Sequence, residues 1–136
     1  MSKVYVYCEK NGFVPFFSFY EKLDIKLQQK IWKGIRCLAI FPSYHTEPHV
    51  KHFTTERYIN LYEYRERIRV LFRVIFAFDS EKNIILLAPF IKQRDRDTYK
   101  ALEHSLQMLA DIKQYPECKI ELLLGKEDLT GVGHNV

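Results

Sequence analysis

The sequence is poor in cysteine, and its few cysteines are not arranged to pair or to bind a metal. Cys8, Cys37 and Cys118 are widely spaced and odd in number, and no C-x-x-C pair occurs. This pattern argues against a disulfide framework and against a cysteine-based zinc site. It is typical of buried thiols in a reducing compartment, so we expect a cytoplasmic protein.

Long apolar runs are also missing from the sequence. No segment is apolar over the roughly 20 residues that a membrane-spanning helix needs, and no charged start followed by an apolar signal core is present. We therefore expect no membrane partner. The 136 residues are 47% hydrophobic and include 9 Tyr and 10 Phe, which fits one domain with a bulky core.

Neither sign of charge is in large excess. The sequence has 21 Lys and Arg residues against 17 Asp and Glu residues, which gives a net charge of +4. A charge of this size permits binding to nucleic acid but does not by itself indicate it.

The N-terminal third of the sequence predicts a strand followed by two helices. The β-rich run from Val4 to Cys8 ends at a turn around Gly12. Apolar residues then recur every three or four positions, which predicts a short helix to about Lys22 and a longer one to about Ile40. Asp24 is suited to cap the longer helix. The polar face of this helix is predicted to carry Lys26, Gln29, Lys30, Lys33 and Arg36.

The middle of the sequence predicts a loop and then consecutive antiparallel strands. Residues 42–58 are polar, with two prolines and three histidines, and are predicted to be a loop. From Leu61 the apolar residues alternate, which indicates strands with a break at about Glu66-Arg67. Asp79–Asn83 predicts a hairpin turn. The nearly all-apolar Ile84–Ile91 that follows predicts a central, buried strand.

The C-terminal part predicts one more helix and a short extension. The helix is expected to start at Asp97 or Thr98 and to end before Pro116. Cys118–Leu124 alternates weakly, which is compatible with an extra strand, and a loose tail is expected from Gly125. We therefore predict an α+β fold, with a domain at 1–115 and a C-terminal extension at 116–136.

Three segments in a fixed order resemble one protein family. They are Leu61-Tyr62-Glu63-Tyr64-Arg65, then Arg73-Val74-Ile75-Phe76 with an aspartate six residues after the arginine, then Leu86-Leu87-Ala88-Pro89-Phe90-Ile91-Lys92 before a helix. Together with the helical hairpin, they are similar to the RelE/ParE toxin superfamily, and to its HigB-like, phage-derived branch in particular. The resemblance runs from about Lys3 to Asp111.

The resemblance implies a fold and a function. The implied fold is a small curved antiparallel sheet with an N-terminal helical hairpin packed on one face, an open face that forms the active site, and a further C-terminal helix. The implied function is the toxin of a type II toxin–antitoxin system, an mRNA endoribonuclease that acts on the ribosome without a metal or other cofactor. The expected partners are mRNA, the ribosome and a cognate antitoxin, often a helix-turn-helix protein.

Two other functions stay open at this point. Some relatives in the superfamily inhibit DNA gyrase instead of cleaving RNA, so the chain could be a non-nuclease inhibitor of a protein target. It could also be an inactive phage-derived protein that keeps only the fold.

The candidate site residues follow from the resemblance and from the chemistry of RNA cleavage, which needs a base, an acid and cations that stabilise the phosphorane. Arg73 and Arg65 match the family positions, and a guanidinium can bind two phosphate oxygens. The predicted catalytic residues are Arg73, Arg65, Lys92, His52 and Glu63. The predicted RNA-binding residues are Lys51, His49, Arg69, Arg94, Arg96 and, as a surface for base stacking, Tyr64.

Structural roles compete with each of these assignments. Arg65 and Arg73 could form ordinary ion pairs with Glu63 or Glu66. The three loop histidines could be plain loop residues, and their H-x-x-x-H-x-x-H spacing is too weak, without cysteine or carboxylate support, to predict a zinc site.

Overall fold

The computed structural model describes residues 1–124, which form one six-stranded sheet covered by helices on both faces. The strands are β1 (Val4–Tyr7), β2 (Val50–His52), β3 (Tyr62–Ile68), β4 (Val70–Phe78), β5 (Ile84–Ile91) and β6 (Lys119–Leu122), and the α-helices are α1 (Pro15–Tyr20), α2 (Ile25–Ile40) and α3 (Asp95–Gln114). The strand order is β2-β3-β4-β5-β1-β6. The predicted α+β class is confirmed, but the sheet is mixed, because β1 runs parallel to β5.

The helical hairpin forms where the sequence predicts it. Asp24 caps α2, since its Oδ1 accepts a hydrogen bond from the Leu27 amide at 3.1 Å. One prediction for this helix is wrong: Arg36 is not on the solvated face but is buried, with its guanidinium 4.6 Å from the centre of the Trp32 ring. A planar cation can pack against an aromatic ring in this way without losing its charge.

The two faces of the sheet carry two separate hydrophobic clusters. The first packs α1 and α2, through residues such as Phe16, Ile31 and Ile35, against one face. The second packs α3, through Ala101 and Leu102, against the other face. The resemblance predicts that the sheet face opposite α1 and α2 is open. In the structure α3 covers part of this face.

Two predictions for the middle of the chain need correction. Residues 42–58 are not all loop, since they contain β2, which is only three residues long and buries only Val50, too little for an alternating pattern to show. The break between β3 and β4 is not at Glu66-Arg67 but at Arg69, whose positive φ of 64° turns the chain. The strands therefore extend further than the sequence indicates.

The turn before β5 and the helix after it depend on neighbouring residues, and the sequence predicts both to within about three residues. The predicted hairpin turn is confirmed: Asp79 Oδ1 accepts hydrogen bonds from the amides of Glu81 and Asn83. The last helix starts at Asp95, before the predicted Asp97 or Thr98. Asp97 lies in the first turn of this helix. Its carboxylate accepts hydrogen bonds from the amides of Gln93 and Arg94 and so caps the start of the helix.

The C-terminal segment adds a strand to the sheet. The strand predicted within Cys118–Leu124 is present as β6, which pairs with β1 in antiparallel orientation. The domain boundary at 115 stays a prediction, and the predicted tail from Gly125 lies outside the described residues.

A hydrogen bond from Tyr7 to Asp111 joins β1 to α3, and it gives a testable prediction. The Tyr7 hydroxyl donates to Asp111 Oδ2 at 2.7 Å, and burial together with this carboxylate raises the pKa of Tyr7 well above 10. We expect Tyr7→Phe to lower the free energy of unfolding by about 1 kcal/mol at pH 7. Because the unfolded tyrosine ionises near pH 10 and the folded one does not, this difference should shrink as the pH rises above 10.

Denaturant titrations at pH 7 and pH 10.5 would measure this difference. Tyr5→Phe is the matched control, since the Tyr5 hydroxyl has no hydrogen-bond partner in the described part of the chain. Equal effects of the two substitutions at both pH values would contradict the prediction.

Candidate functional site

The two arginines that carry the resemblance lie side by side on β3 and β4. Arg65 and Arg73 are directly opposite each other in the ladder. Like charges at such positions destabilise a sheet unless a counter-charge is near. Glu63 supplies it: its Oε1 accepts a hydrogen bond from Arg65 Nε at 3.0 Å and lies 3.5 Å from Arg73 Nε. One carboxylate thus holds both guanidinium groups on the α3 side of the sheet.

Glu63 is buried to an extent that is unusual for a carboxylate. Its side chain is 2% exposed, and its Oε2 is buried without a hydrogen-bond partner in the described residues. The Arg73 side chain is 12% exposed, and burial lowers its pKa from the ordinary value, an effect that Glu63 opposes. Buried polar atoms without partners are costly, and they are common at functional sites.

Each guanidinium keeps its Nη2 nitrogen available. Arg65 uses Nε for Glu63 and donates from Nη1 to Glu47 Oε1 at 3.1 Å. Arg73 donates from Nη1 to the carbonyl oxygen of Phe72 at 3.2 Å. Neither Nη2 has a hydrogen-bond partner among residues 1–124. The competing prediction, that the arginines form ion pairs with Glu63 or Glu66, is confirmed for Glu63, which is buried, and not for Glu66. These pairs still leave donors unused.

The other predicted cations lie on or next to the strands β2 to β5 and at the start of α3. Lys51 is opposite Glu63 on β2 and is exposed, with its Nζ 5.4 Å from the centre of the Phe53 ring. Lys92, at the end of β5, lies 3.5 Å from Asp95. Arg94 and Arg96 are exposed at the start of α3. Arg69 is the outlying member, 80% exposed and 4.0 Å from Asp24.

The predicted histidines lie on the other face of the sheet. His52 pairs with Tyr62 in the ladder and stacks on its ring at 4.3 Å, and Tyr62 faces the cluster that packs against α1 and α2. His49 stacks on Tyr44 at 3.7 Å. The structure therefore does not bring His52 and His49 together with the arginines. For His52 the reason is its place in β2, where successive side chains point to opposite faces and Lys51 lies opposite Glu63.

Tyr64 is also unavailable for the role predicted for it. Its ring is fully buried, and its hydroxyl donates a hydrogen bond to Glu66. The prediction that Tyr64 is exposed and stacks on a base is wrong, since the ring faces Gly34 of α2.

Residues 1–124 contain neither a cluster of metal ligands nor a membrane-spanning helix. Between residues 1 and 124, no three side chains of His, Cys, Asp or Glu come together in a way that could hold a metal ion. None of the helices in that range has the length and apolar character needed to cross a membrane.

A cluster of hydrogen bonds that the sequence does not predict joins the β2–β3 connection to α3. Arg57 donates from Nε and Nη2 to the two oxygens of Glu103, at 2.8 and 2.7 Å, and Tyr58 donates to the same carboxylate at 2.5 Å. These hydrogen bonds lower the pKa of Glu103 from 4.5 to about 2. Because Glu103 is more than 40 positions away from Arg57 and Tyr58, no local sequence pattern predicts this contact.

The Glu103 cluster predicts a local loss of order in acid. Its stabilising effect is complete above pH 4.5 and should be lost as the pH falls towards 2, when the folded carboxylate takes up its proton. We expect Glu103→Gln to increase amide hydrogen exchange around Arg57 and Tyr58 at neutral pH. The control is His104→Gln, on the exposed side of α3. Unchanged exchange in Glu103→Gln would contradict the prediction.

Comparisons with known proteins place the chain in a family. The family model described as phage-derived protein Gp49-like (DUF891) matches residues 18–109, well over half of the chain. The matched region includes Glu63, Arg65 and Arg73, whereas β1 and β6 lie outside it. A search of curated proteins gives no match. The chain therefore belongs to the phage-derived Gp49-like family, which is related to the RelE/HigB toxins of toxin–antitoxin systems.

Proposed function

We propose that the protein is the toxin of a type II toxin–antitoxin pair, of the HigB-like branch, and that it cleaves mRNA without a metal. The observation that carries this proposal is the Arg65–Glu63–Arg73 cluster. A buried carboxylate holds two guanidinium groups next to each other, and each keeps a free Nη2 that can donate to a phosphate oxygen. Two opposed arginines destabilise a sheet, whereas they can bind a phosphodiester together, so the arrangement favours a phosphate-binding role.

In this proposal each member of the cluster has a chemical role. Arg65 and Arg73 bind the scissile phosphate and stabilise the charge that develops on it. Glu63 positions both guanidinium groups. In the cleavage step Glu63 accepts the proton of the 2′-hydroxyl, the 2′-oxygen bonds to phosphorus, and the 5′-oxygen leaves with a proton taken from water. Lys92 and Lys51 add positive charge along the path of the RNA backbone.

The test is a cleavage assay with purified protein, on naked mRNA and on mRNA bound to ribosomes, in the presence of EDTA. We expect cuts that leave a 2′,3′-cyclic phosphate, because the 2′-hydroxyl is the nucleophile. A substrate with a 2′-deoxy sugar at the cut site should stay intact and serves as the control. If neither naked mRNA nor ribosome-bound mRNA is cleaved, the proposal is overturned.

One observation favours a second candidate, a toxin that inhibits a protein such as DNA gyrase. Both arginines are already compensated by carboxylates, and the two histidines predicted to take part, His49 and His52, lie on the far face of the sheet. A supercoiling assay separates the two functions. Inhibited supercoiling together with intact RNA would favour this candidate.

We further propose that a cognate antitoxin, a small protein with a helix-turn-helix part, binds this chain. It would cover the arginine pair or block access to the ribosome. The direct test is to co-express the chain with the product of the adjacent open reading frame. We expect co-purification and restored growth, and growth arrest that persists with every adjacent gene would contradict the proposal.

A further inference from the structure

Arg65 is paired with a second carboxylate that the sheet itself does not require. Glu47 lies in the connection between α2 and β2, its side chain is 65% exposed, and its Oε1 accepts a hydrogen bond from Arg65 Nη1 at 3.1 Å. Glu63 already compensates the charge of Arg65 through Nε. Glu47 is therefore an additional partner, placed on the solvent side of the guanidinium.

The geometry of the guanidinium decides what this second partner does. A phosphate binds arginine most tightly through two neighbouring N–H groups. The edge that includes Nε faces Glu63, which is buried, so a ligand from solvent would use the edge formed by Nη1 and Nη2. Nη2 has no partner in the described residues, and Nη1 donates one of its two N–H groups to Glu47. The Glu47 carboxylate therefore lies beside this edge, where it competes with a phosphate for Nη1 and repels its negative charge.

We propose that Glu47 competes within the chain for the phosphate-binding edge of Arg65, and so lowers the affinity of the site for RNA. This inference rests on the proposed function, since it takes the ligand to be an RNA phosphate. The pair is exposed and screened by salt, so the competition is modest. Removing it should tighten binding by about two- to five-fold at low ionic strength, and by less as salt is added.

The experiment measures the dissociation constant of a short single-stranded RNA with 2′-O-methyl sugars, which binds but cannot be cleaved. Glu47→Gln removes the charge at the Arg65 edge. Glu56→Gln is the matched control, because Glu56 is an exposed carboxylate in the same half of the chain with no ion pair in the described residues, and it changes the net charge equally. We expect Glu47→Gln to bind more tightly than both the wild type and Glu56→Gln.

Two further variants locate the effect at Arg65. In an Arg65→Ala background, Glu47→Gln should give no gain beyond that of Glu56→Gln. Glu47→Ala should also tighten binding, because it removes the competitor altogether. Equal effects of Glu47→Gln and Glu56→Gln, a gain that persists without Arg65, or weaker binding by Glu47→Ala would each overturn the inference and leave the proposed function standing. If the wild type binds no RNA at low salt, the proposed nuclease function fails and takes this inference with it.

Discussion

Replacing Gly34 with alanine is expected to destabilise the protein by about 2–3 kcal/mol, near the upper end of what overpacking costs. A Cβ at this position would lie 1.6 Å from the Tyr64 hydroxyl oxygen, 2.5 Å from its ring carbon Cζ and 3.0 Å from Glu66 Oε2. The Tyr64 ring is fully buried and its hydroxyl is held by Glu66, so it cannot move aside. The better helix propensity of alanine, about 1 kcal/mol, offsets only part of this cost.

Thermal and denaturant unfolding would measure the effect of Gly34→Ala. For a chain of this size the expected loss corresponds to about 5–10 °C in Tm. Gln29→Ala, at an exposed position of the same helix, is the control and should change little. Gly34→Ala combined with Tyr64→Phe removes the closest colliding atom and should recover part of the loss. A stable Gly34→Ala protein would mean that α2 and β3 are further apart than the structure places them.

Features that depend on neighbouring residues were predictable from the sequence. The Asp24 cap needs only its own carboxylate and the amide three residues later. The Asp79–Asn83 turn is closed by Asp79 itself. The buried strand β5 reads as a continuous apolar run because helices cover both of its faces. Short-range geometry and burial leave patterns in the sequence, and these patterns were enough for the fold class.

Features that depend on distant residues were not predictable in the same way. The strand β2 forms because it pairs with the edge of β3, and its three residues are too few to show an alternating pattern in the sequence. The sequence predicts the contact of Glu63 with the arginines as one alternative, but it does not predict the hydrogen bond between Glu47 and Arg65, 18 positions away. The separation of His52 from the arginines depends on the register of β2, in which a shift of one residue would move it to the other face.

Replacing Arg73 with alanine is expected to abolish growth arrest and to reduce the rate of RNA cleavage by about 100- to 1,000-fold, if the proposed nuclease function holds. Arg73 has the less exposed side chain of the two arginines at the site, and Glu63 and the carbonyl oxygen of Phe72 hold its guanidinium group. Such a preorganised donor is expected to stabilise the transition state more than a mobile surface cation does. Arg73→Lys keeps the charge but loses the planar fork, so it should retain only part of the activity.

A loss of activity in Arg73→Ala has to be separated from a loss of folding. The substitution leaves Glu63 with Arg65 as its remaining partner, and we expect it to cost about 1–3 kcal/mol of stability, which unfolding measurements would report. Lys26→Ala removes one positive charge from the exposed face of α2 and should leave cleavage unchanged, so it controls for net charge. If Arg73→Ala is folded and still cleaves RNA at the wild-type rate, the guanidinium pair is a structural ion pair only. The catalytic site must then lie elsewhere in the chain.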